Sequence, residues 1–380
     1  MKGPSVTHVI PQLCRAGAEL LLTSLLPRLA ARGLCVDVVT FTDSNLLAPD
    51  LSDAGIPIHT LGHRGGTIYQ LDRWVATGIR LSRYLQARRP AILHAHLYMA
   101  DLVSRLLGRE GTAFVSTLHR VDPWWEQSGR LRSKLKTYLD GCLAGLRDVH
   151  LIAVSHDVAT AAVRALGVNS DRIRVIYNGI DFKRFPFDPS RSFPRDPSDP
   201  CLVQIGRMDE QKGHSVALEA FPRVLEAFPK ARLLFVGDGP LRASLENQAR
   251  RLGLDGRVEF LGIRSDIPSL LRRADLFWMP SRFEGLPIAC LEAMACGLPT
   301  VTTNVVGLRE VAVDGVTSCV VPPDSPDALA QASLRILKDP ALATRMGLAG
   351  RQRVVEKFSI ERTADEYVRA YEDIIEGRWK

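Results

Sequence analysis

The residues best suited to chemistry lie on either side of Pro287 in the second half of the chain. A proline favours the first turn of a helix, so Glu284, Gly285 and Leu286 fall in the loop before one. The backbone amides of this loop can face an anion that lies at the positive end of the helix. Glu292 falls two turns into that apolar helix, where its carboxylate needs a hydrogen-bond partner. A diol such as a ribose or a backbone amide would satisfy it.

A second group of polar residues follows the apolar run at 201–205. Gly206-Arg207 and Lys212-Gly213 place two cations at the carboxyl end of a predicted strand, before a predicted helix. An arginine contacts phosphate in a bidentate manner and a lysine supplies a point charge. The order of residues differs from that of a Walker loop. The segment therefore predicts a different kind of phosphate site.

The first half of the chain offers a small-residue loop and a histidine. Gly17 lies where a helix follows the first strand, and its lack of a side chain lets the backbone approach a ligand closely. His119 lies at the carboxyl end of another predicted strand, and this position favours a functional role. A lone histidine elsewhere is more often a hydrogen-bonded structural residue. No Asp-x-Asp triplet occurs in the sequence, so we expect no carboxylate-bound metal that grips a diphosphate.

Strands that alternate with helices position these groups. Apolar runs and helical periods alternate twice along the chain, which predicts two α/β units whose parallel sheets are covered on both faces. The segment 185–200 holds five prolines and predicts the linker between them. We therefore expect two doubly wound, Rossmann-like domains that face each other across a cleft, because such sheets bind ligands at the carboxyl ends of their strands. The predicted strands are 6–10, 35–41, 91–94, 113–118, 151–154, 174–177, 201–205, 232–236, 257–261, 276–279, 299–302 and 318–321.

These motifs, in this order, resemble glycosyltransferase family 4, whose members are retaining transferases of the GT-B fold. The resemblance is carried by the small-residue first loop, by Thr117-Leu118-His119, by Tyr177-Asn178-Gly179-Ile180-Asp181, by Val236-Gly237-Asp238-Gly239-Pro240 and by the two groups described above. It implies an N-terminal acceptor-binding domain over 1–187 and a nucleotide-sugar-binding domain over 188–359. It also implies that the last segment, 360–380, packs back on the first domain.

The resemblance also implies a role for each matching residue. Arg207 and Lys212 would hold the diphosphate of the donor, and Glu292 would bind the ribose hydroxyls. His119 and Glu284 would contact the donor sugar, so the expected catalytic residues are His119, Glu284, Arg207 and Lys212. The remaining donor-binding residues would be Gly17, Ile263, Arg264, Gly285 and Leu286. One departure is that the usual Gly-Gly pair of the first loop is Ala16-Gly17 here.

The composition excludes several other classes of protein. Of 380 residues, 46% are apolar and 24% charged, which argues against wholesale disorder. No apolar run is long enough to cross a bilayer, and the N-terminus lacks the apolar core of a signal peptide. The seven scattered cysteines include no Cys-x-x-Cys pair, which favours a reducing compartment. We expect a cytoplasmic protein.

The excess of positive charge belongs to one half of the chain. Residues 1–187 carry a net charge of +8, whereas residues 188–380 carry −1. A basic, tryptophan-containing segment in the first half combines cations with an apolar helical period, as interfacial segments do. It is either an ordinary core-facing helix or a peripheral contact with an anionic membrane that brings in an acceptor. Its residues are Trp124, Trp125, Arg130, Arg132, Lys134 and Lys136.

The sequence therefore predicts a retaining glycosyltransferase that needs neither a metal nor a cofactor. It would move a hexose or N-acetylhexosamine from a nucleotide sugar, with UDP favoured over GDP, to a glycan or polyprenyl-linked acceptor in cell-envelope or exopolysaccharide synthesis. The alternatives are a GT-B sugar-nucleotide epimerase or phosphorylase, or a non-catalytic nucleotide-sugar binder. Nucleic acid is not an expected partner, because stacking aromatics and a recognition module are absent from the sequence.

Overall fold

The structure is a computed structural model of the chain. It describes residues 3–63, 71–107, 111–121, 137, 141, 149–191, 193–196 and 198–379. The chain divides into two compact units, one made of Met1–Gly179 with Ile360–Lys380 and the other of Ile180–Ser359.

The first unit contains a seven-stranded sheet in which every pair of neighbouring strands is parallel. Its order is β3-β2-β1-β4-β5-β6-β7, so the order reverses between β1 and β4. The central strands are buried along most of their length, as both-face coverage by helices requires. The strands are β1 Ser5–Ile10, β2 Cys35–Thr40, β3 Ile58–Thr60, β4 Ile92–His96, β5 Ala113–Leu118, β6 Val149–Ala153 and β7 Ile173–Val175.

The helices of the first unit bury an apolar face against this sheet. In α1, five leucines recur at helical spacing and are all buried. In α5, Ser155 caps the N-terminus by accepting a hydrogen bond from the Val158 amide, and Gly167 ends the helix in the left-handed conformation. The described helices are α1 Gly17–Ala31, α2 Ala48–Asp53, α3 Leu71–Arg88, α4 Tyr98–Leu107 and α5 His156–Leu166.

The second unit repeats the architecture with six parallel strands in the order β10-β9-β8-β11-β12-β13. Its strands are β8 Cys201–Ile205, β9 Arg232–Val236, β10 Val258–Phe260, β11 Leu276–Met279, β12 Thr300–Thr303 and β13 Cys319–Val321. Its helices are α6 His214–Ala227, α7 Arg242–Arg251, α8 Ile267–Arg273, α9 Ile288–Ala295, α10 Leu308–Val311, α11 Pro326–Leu337 and α12 Pro340–Lys357. The doubly wound fold predicted from the sequence is confirmed for both units.

The last helix, α13 Ile360–Ile375, belongs to the first unit. Glu361 accepts charged hydrogen bonds from Arg28 on α1 at 2.6 Å and from Arg32, the residue that follows α1, at 2.9 Å. A side chain at Gly179 would lie 2.5 Å from the Cα atom of Ile360, so only glycine permits this close approach.

The passage between the units lies at Gly179–Ile180 rather than at residue 187, where the sequence predicted it. The described residues of the proline-rich segment 185–200 do not form a free linker, because Arg191 donates hydrogen bonds to the Leu271 and Ala274 carbonyl oxygens of the second unit. Phe185 and Phe193 are buried, and the Arg191 guanidinium lies 4.4 Å from the centre of the Phe193 ring. The phenylalanines between the prolines supply the apolar anchors that the composition concealed.

Within the described part of the chain, no helix is both long and apolar enough to cross a membrane.

Candidate functional site

The strand order of the second unit brings its two predicted motifs together. β8 and β11 are neighbours at the point where the order reverses, and the segments that follow them leave the sheet in opposite directions. Lys212 follows β8 and Glu284 follows β11, although 72 positions separate them in sequence. The topology therefore explains why residues of two distant motifs form one site.

Lys212 and Glu284 form a buried ion pair. The Lys212 ammonium donates to both carboxylate oxygens, at 2.7 Å to Oε1 and 2.9 Å to Oε2. The Ser281 hydroxyl donates to Oε1 at 2.7 Å, and the Gln211 amide approaches Oε2 at 3.5 Å. The Glu284 side chain is 5% exposed and that of Lys212 is 20% exposed. An ammonium has three protons, so one of the Lys212 protons remains for another acceptor.

Backbone contacts hold the two loops of the site against each other. The Arg282 amide donates to the Gln211 carbonyl at 2.8 Å, and the Gln211 side chain donates to the Phe283 carbonyl at 2.9 Å. Gly213 has a φ of +66°, and an added Cβ would lie 2.0 Å from the Pro280 carbonyl oxygen. Gly213, at the start of α6, is therefore required by geometry, because a side chain at this position would clash with the backbone of Pro280.

Arg207 has a setting very different from that of Lys212. Its side chain is 70% exposed, and its nearest acidic partner is Asp209, at 3.8 Å. An exposed pair at this distance restrains the guanidinium weakly. Arg207 is therefore a cation with its donors available to an anion in solution.

Glu292 lies inside α9 and is partly buried. Burial raises the pKa of its carboxyl to about 7, and the positive charge of Arg184 opposes that rise. No side chain among the described residues donates a hydrogen bond to this carboxylate. The predicted need for a polar partner is thus unmet within the described structure.

The remaining residues predicted to bind the donor lie on neighbouring segments of the second unit. Gly285 and Leu286 are buried just before α9, whose N-cap is Pro287. Ile263 is 61% exposed in the segment after β10, and Arg264 is paired with Asp266 at 2.8 Å. Their predicted contacts with a nucleotide stay predictions.

In the first unit, His119 meets other histidines at the carboxyl ends of the strands. Its Nε2 lies 3.2 Å from Nδ1 of His96, whose Nε2 lies 2.9 Å from Nδ1 of His8. Burial lowers the pKa of His8 to about 3. Burial and the Arg120 charge lower the pKa of His119 to about 4. Burial and the neighbouring histidines lower the pKa of His96 well below its usual value. These imidazoles are neutral at physiological pH.

His94 belongs to the same cluster but has other partners. Its Nδ1 lies 2.6 Å from the Tyr371 hydroxyl and its Nε2 lies 2.7 Å from the Thr117 hydroxyl. Nitrogen atoms of His8, His94 and His96 all lie within 4.8 Å of one another, as in a possible metal site. The facing nitrogens of His8 and His96 are hydrogen-bonded to each other, and both nitrogens of His94 are engaged, so metal binding would require several bonds to break. The cluster fits a hydrogen-bonded network better than a metal centre.

Two predicted features of the first unit have separate outcomes. Gly17 begins α1 and is exposed, at the carboxyl end of β1. The basic patch lies outside the described residues. Its members are Trp124, Trp125, Arg130, Arg132, Lys134 and Lys136.

Several site residues were not predicted from the sequence. Ser281 and Gln211 adjoin the two motifs, and a buried carboxylate signals that donors of this kind must be near it. His8 alternates with apolar residues in β1, and Tyr367 and Tyr371 lie on α13, far along the chain from the strands they contact. Nothing in their sequence context marks these three residues as partners of His94, His96 and Thr117.

Two family descriptions match the chain, one on each half. Residues 15–184 match "Glycosyltransferase Family 4" and residues 189–353 match "Glycosyl transferases group 1". A glycogen synthase of Mycobacterium tuberculosis is 31% identical over 305 residues, which cover 78% of this chain and 72% of that protein. An Escherichia coli UDP-Gal:α-D-GlcNAc-diphosphoundecaprenol α-1,3-galactosyltransferase is 26% identical over 78% of this chain and 79% of its own.

Solved structures share the fold across nearly the whole chain. HepE of Anabaena in complex with UDP and glucose matches with a TM-score of 0.83 at 20% identity, over 97% of this chain and 100% of its own. The sucrose-phosphate synthase of Thermosynechococcus elongatus matches with the same TM-score at 22% identity, over 99% and 100% of the two chains. The two parallel-sheet units, the ion pair of the second unit and the named relatives lead to the same conclusion. The chain belongs to the GT4-type glycosyltransferases of the GT-B fold.

Proposed function

We propose that the protein is a retaining, metal-independent transferase that moves a hexose or N-acetylhexosamine from a UDP-sugar to a glycan or lipid-linked acceptor. The acceptor would belong to cell-envelope or exopolysaccharide synthesis. The observation that carries the proposal is the buried Lys212–Glu284 pair at the point where the strand order of the second sheet reverses.

The charges at this place suit a departing diphosphate. Cleavage of the donor's glycosidic bond builds negative charge on the leaving phosphate, and preorganised cations stabilise that charge. Lys212 is held in place by Glu284 and keeps one proton to donate, while Arg207 brings an exposed second cation. With two cations and a helix N-terminus in this unit, the leaving group needs no metal ion.

Glu284 has little acceptor capacity left for a sugar. An ionised carboxylate has about four lone-pair sites. Lys212, Ser281 and Gln211 supply four close donor contacts to its two oxygens. We therefore propose that Glu284 chiefly holds Lys212 toward the diphosphate, and that the amides of Gly285 and Leu286 take part in sugar contact.

Named relatives support a UDP donor and a lipid-linked acceptor. HepE is described with UDP-glucose, and the Escherichia coli relative is named for transfer of galactose from UDP to a diphosphoundecaprenol-linked sugar. Retention would come from attack on the face that the diphosphate leaves: the acceptor oxygen bonds to the anomeric carbon as the bond to the leaving phosphate oxygen breaks, and that phosphate takes the acceptor proton.

A donor screen tests the proposal. Thermal unfolding is measured with UDP, GDP and ADP, and then with UDP-glucose, UDP-galactose, UDP-N-acetylglucosamine and GDP-mannose. A ligand at 100 times its Kd adds about 2.7 kcal/mol of stability. We expect UDP and one UDP-sugar to raise the Tm in EDTA as much as in magnesium, and the transferred sugar to keep its anomeric configuration by NMR. A response confined to GDP compounds, or one that EDTA abolishes, would reject this donor assignment or the metal-free mechanism respectively.

Peripheral contact with the inner face of the membrane is a further part of the proposal. The basic patch of Trp124, Trp125, Arg130, Arg132, Lys134 and Lys136 would bind anionic lipid and bring a polyprenyl-linked acceptor to a cytoplasmic enzyme. Flotation with vesicles that contain anionic lipid tests this contact. Salt-sensitive binding that disappears when the four cations are neutralised would support it, and equal flotation of the two proteins would refute it.

A further inference from the structure

Three histidines of the first unit are joined end to end, and we call them the imidazole wire: His8, His96 and His119. Between His8 and His96 the ring centres are 5.2 Å apart and the planes differ by 14°. Their facing nitrogens are 2.9 Å apart. The ring centres are thus separated by the hydrogen bond plus about one ring width, which is the geometry of imidazoles in a line. His96 and His119 are also joined end to end, with 5.5 Å between centres, 3.2 Å between nitrogens and a larger angle of 42° between the planes.

Each bond of the wire joins a δ nitrogen to an ε nitrogen. A neutral imidazole has one N–H donor and one bare acceptor nitrogen, so each ring that donates at one end must accept at the other. Two patterns satisfy both bonds. Either all three rings carry their proton on Nδ1, or all three carry it on Nε2. The tautomer of His119 is therefore tied to that of His8, although the two rings do not bond each other.

The far end of the wire distinguishes the two patterns. Nε2 of His8 is buried and has no hydrogen-bond partner in the part of the chain that the structure describes. In the Nδ1–H pattern this atom is a bare lone pair, whereas in the Nε2–H pattern it is a buried N–H without an acceptor. Orphaned buried N–H groups are rare in native structures. The Nδ1–H pattern is the one that avoids such a group.

The near end of the wire opens toward solvent. His119 is partly exposed, and its Nδ1 has no partner within the described residues. In the Nδ1–H pattern this atom is a donor at the carboxyl end of β5. An N–H donor can bond a hydroxyl or phosphoryl oxygen of the substrate. Because the imidazole is neutral, it adds no positive charge to the first unit.

We propose that His96, supported by His8, is a positioning residue that fixes His119 as an Nδ1–H donor toward the substrate. The proposal rests on the proposed transferase function and on the contact between His119 and the donor sugar that the family resemblance implies. His94 is a neighbour within the same cluster but outside the wire, because its two nitrogens bond Thr117 and Tyr371. Substitution of a residue that bonds His94 therefore disturbs the cluster and leaves the wire intact.

Nuclear magnetic resonance of protein labelled with 15N-histidine measures the wire without turnover. Nitrogen shifts distinguish a protonated from a bare ring nitrogen. In the wild type, we expect His8, His96 and His119 all to carry the proton on Nδ1 at pH 7.5. Different tautomers among the three rings, or Nε2–H at His119, would overturn the proposal.

Variants at position 96 test the coupling. His96→Leu removes the donor to His119, so the His119 resonances should shift toward the Nε2–H form that neutral histidine favours in water. His96→Asn puts an amide at the place of Nδ1 and should restore the Nδ1–H form. Thr117→Val deletes a buried hydroxyl of the same cluster and serves as the matched control. It should lower the Tm and leave the His119 tautomer unchanged. An unchanged His119 tautomer in His96→Leu would overturn the proposal.

Kinetics then separate positioning from stability. Loss of one oriented donor costs a factor on the order of 100 to 1,000 in kcat. We expect that loss for His96→Leu with an unchanged KM for the donor, partial recovery in His96→Asn, and near wild-type kcat in Thr117→Val. If His119→Ala itself keeps full activity, the role of His119 in the proposed function fails, whereas the NMR result still decides whether the wire sets its tautomer.

Discussion

The two units use the same topological position for opposite kinds of polar group. In the second unit, the strand ends at the reversal of strand order hold a charged pair, Lys212 and Glu284, with the exposed Arg207 following β8. In the first unit, the order reverses between β1 and β4, and these strands carry neutral histidines, His8 and His96, whose hydrogen bonds continue to His119 after β5. One sheet edge is built to bind charge and the other to offer uncharged hydrogen bonds.

The difference follows from which partners each sheet edge supplies. Glu284 lies within hydrogen-bond distance of an ammonium, so the two groups offer each other a counter-charge. The histidines have no carboxylate in their wire, so burial removes their charge and lowers their pKa values. The second unit thus offers counter-charges suited to a diphosphate, while the first unit offers neutral hydrogen-bonding groups.

Removing the ammonium of the second unit should have the largest effect. In Lys212→Met the diphosphate loses its fixed cation, and we expect kcat/KM to fall by about 100- to 1,000-fold, as for loss of an oriented transition-state donor. UDP release from a UDP-sugar, by transfer or by slow hydrolysis, measures the change. The exposed Lys230 is the matched control, and Lys230→Met should retain full activity. A fall of less than about threefold would remove Lys212 from the mechanism.

Acid should weaken the first unit more than the second. The folded-state pKa values of His8, His94, His96 and His119 lie below the ordinary value, so their stabilisation is complete above pH 6.5 and is lost as pH falls toward about 4. Each such histidine contributes up to about 1.4 kcal/mol per pH unit in that range. In the second unit, burial lowers the pKa of His214 to about 3.

Hydrogen exchange by mass spectrometry at pH 7 and pH 5 measures this difference, once intrinsic rates are corrected. We expect protection to fall further in peptides from β1, β4 and β5 than in those from β8, β9 and β11. The second unit is the internal control. Equal losses in both units would mean that the buried histidines do not govern acid stability.

Replacement of Arg207 should affect activity without affecting folding. A charge-assisted hydrogen bond contributes about 1.5–3 kcal/mol, so Arg207→Ala should lower kcat/KM by roughly 10- to 100-fold. Because the side chain is 70% exposed, the Tm should change little. Arg223→Ala removes another surface ion pair, with Asp327, and should change neither quantity. Activity of Arg207→Ala within threefold of wild type would contradict the phosphate role.

Glu292 should make donor binding depend on pH. Burial raises its pKa to about 7, and ribose hydroxyls would donate to the ionised form. Binding that needs the ionised form weakens by the fraction ionised, so UDP-glucose should bind about tenfold more weakly at pH 6 than at pH 8. Calorimetric titration measures the affinity. Glu292→Gln should flatten the profile, and the exposed Glu226→Gln should leave it intact; a flat wild-type profile would place the carboxylate away from the ribose.

Much of the fold was predictable because its elements are locally encoded. The apolar runs of β1, β8 and β9 predicted bounds within a residue or two of the structure. β3 Ile58–Thr60 was missed, because three partly exposed residues carry no apolar period. The unit boundary was placed too late, because prolines were weighted above the phenylalanines that anchor the segment to the second unit.

The site was predictable where its residues are adjacent in sequence and not where the topology brings them together. The loop sequences around Lys212 and Glu284 predicted each residue separately. Their ion pair forms because β8 and β11 are neighbours in the sheet. The wire was invisible for the same reason: His8, His96 and His119 come from three segments, and burial alone turns them into neutral partners.

Calorimetric titration of UDP into the wild type and into Lys212→Met tests most directly whether the second unit binds the diphosphate of the donor. We predict that UDP binds the wild type and binds Lys212→Met at least about tenfold more weakly, which corresponds to 1.4 kcal/mol or more. Equal affinities, or no binding of UDP to the wild type, would contradict the assignment of the Lys212–Glu284 pair to a UDP-sugar.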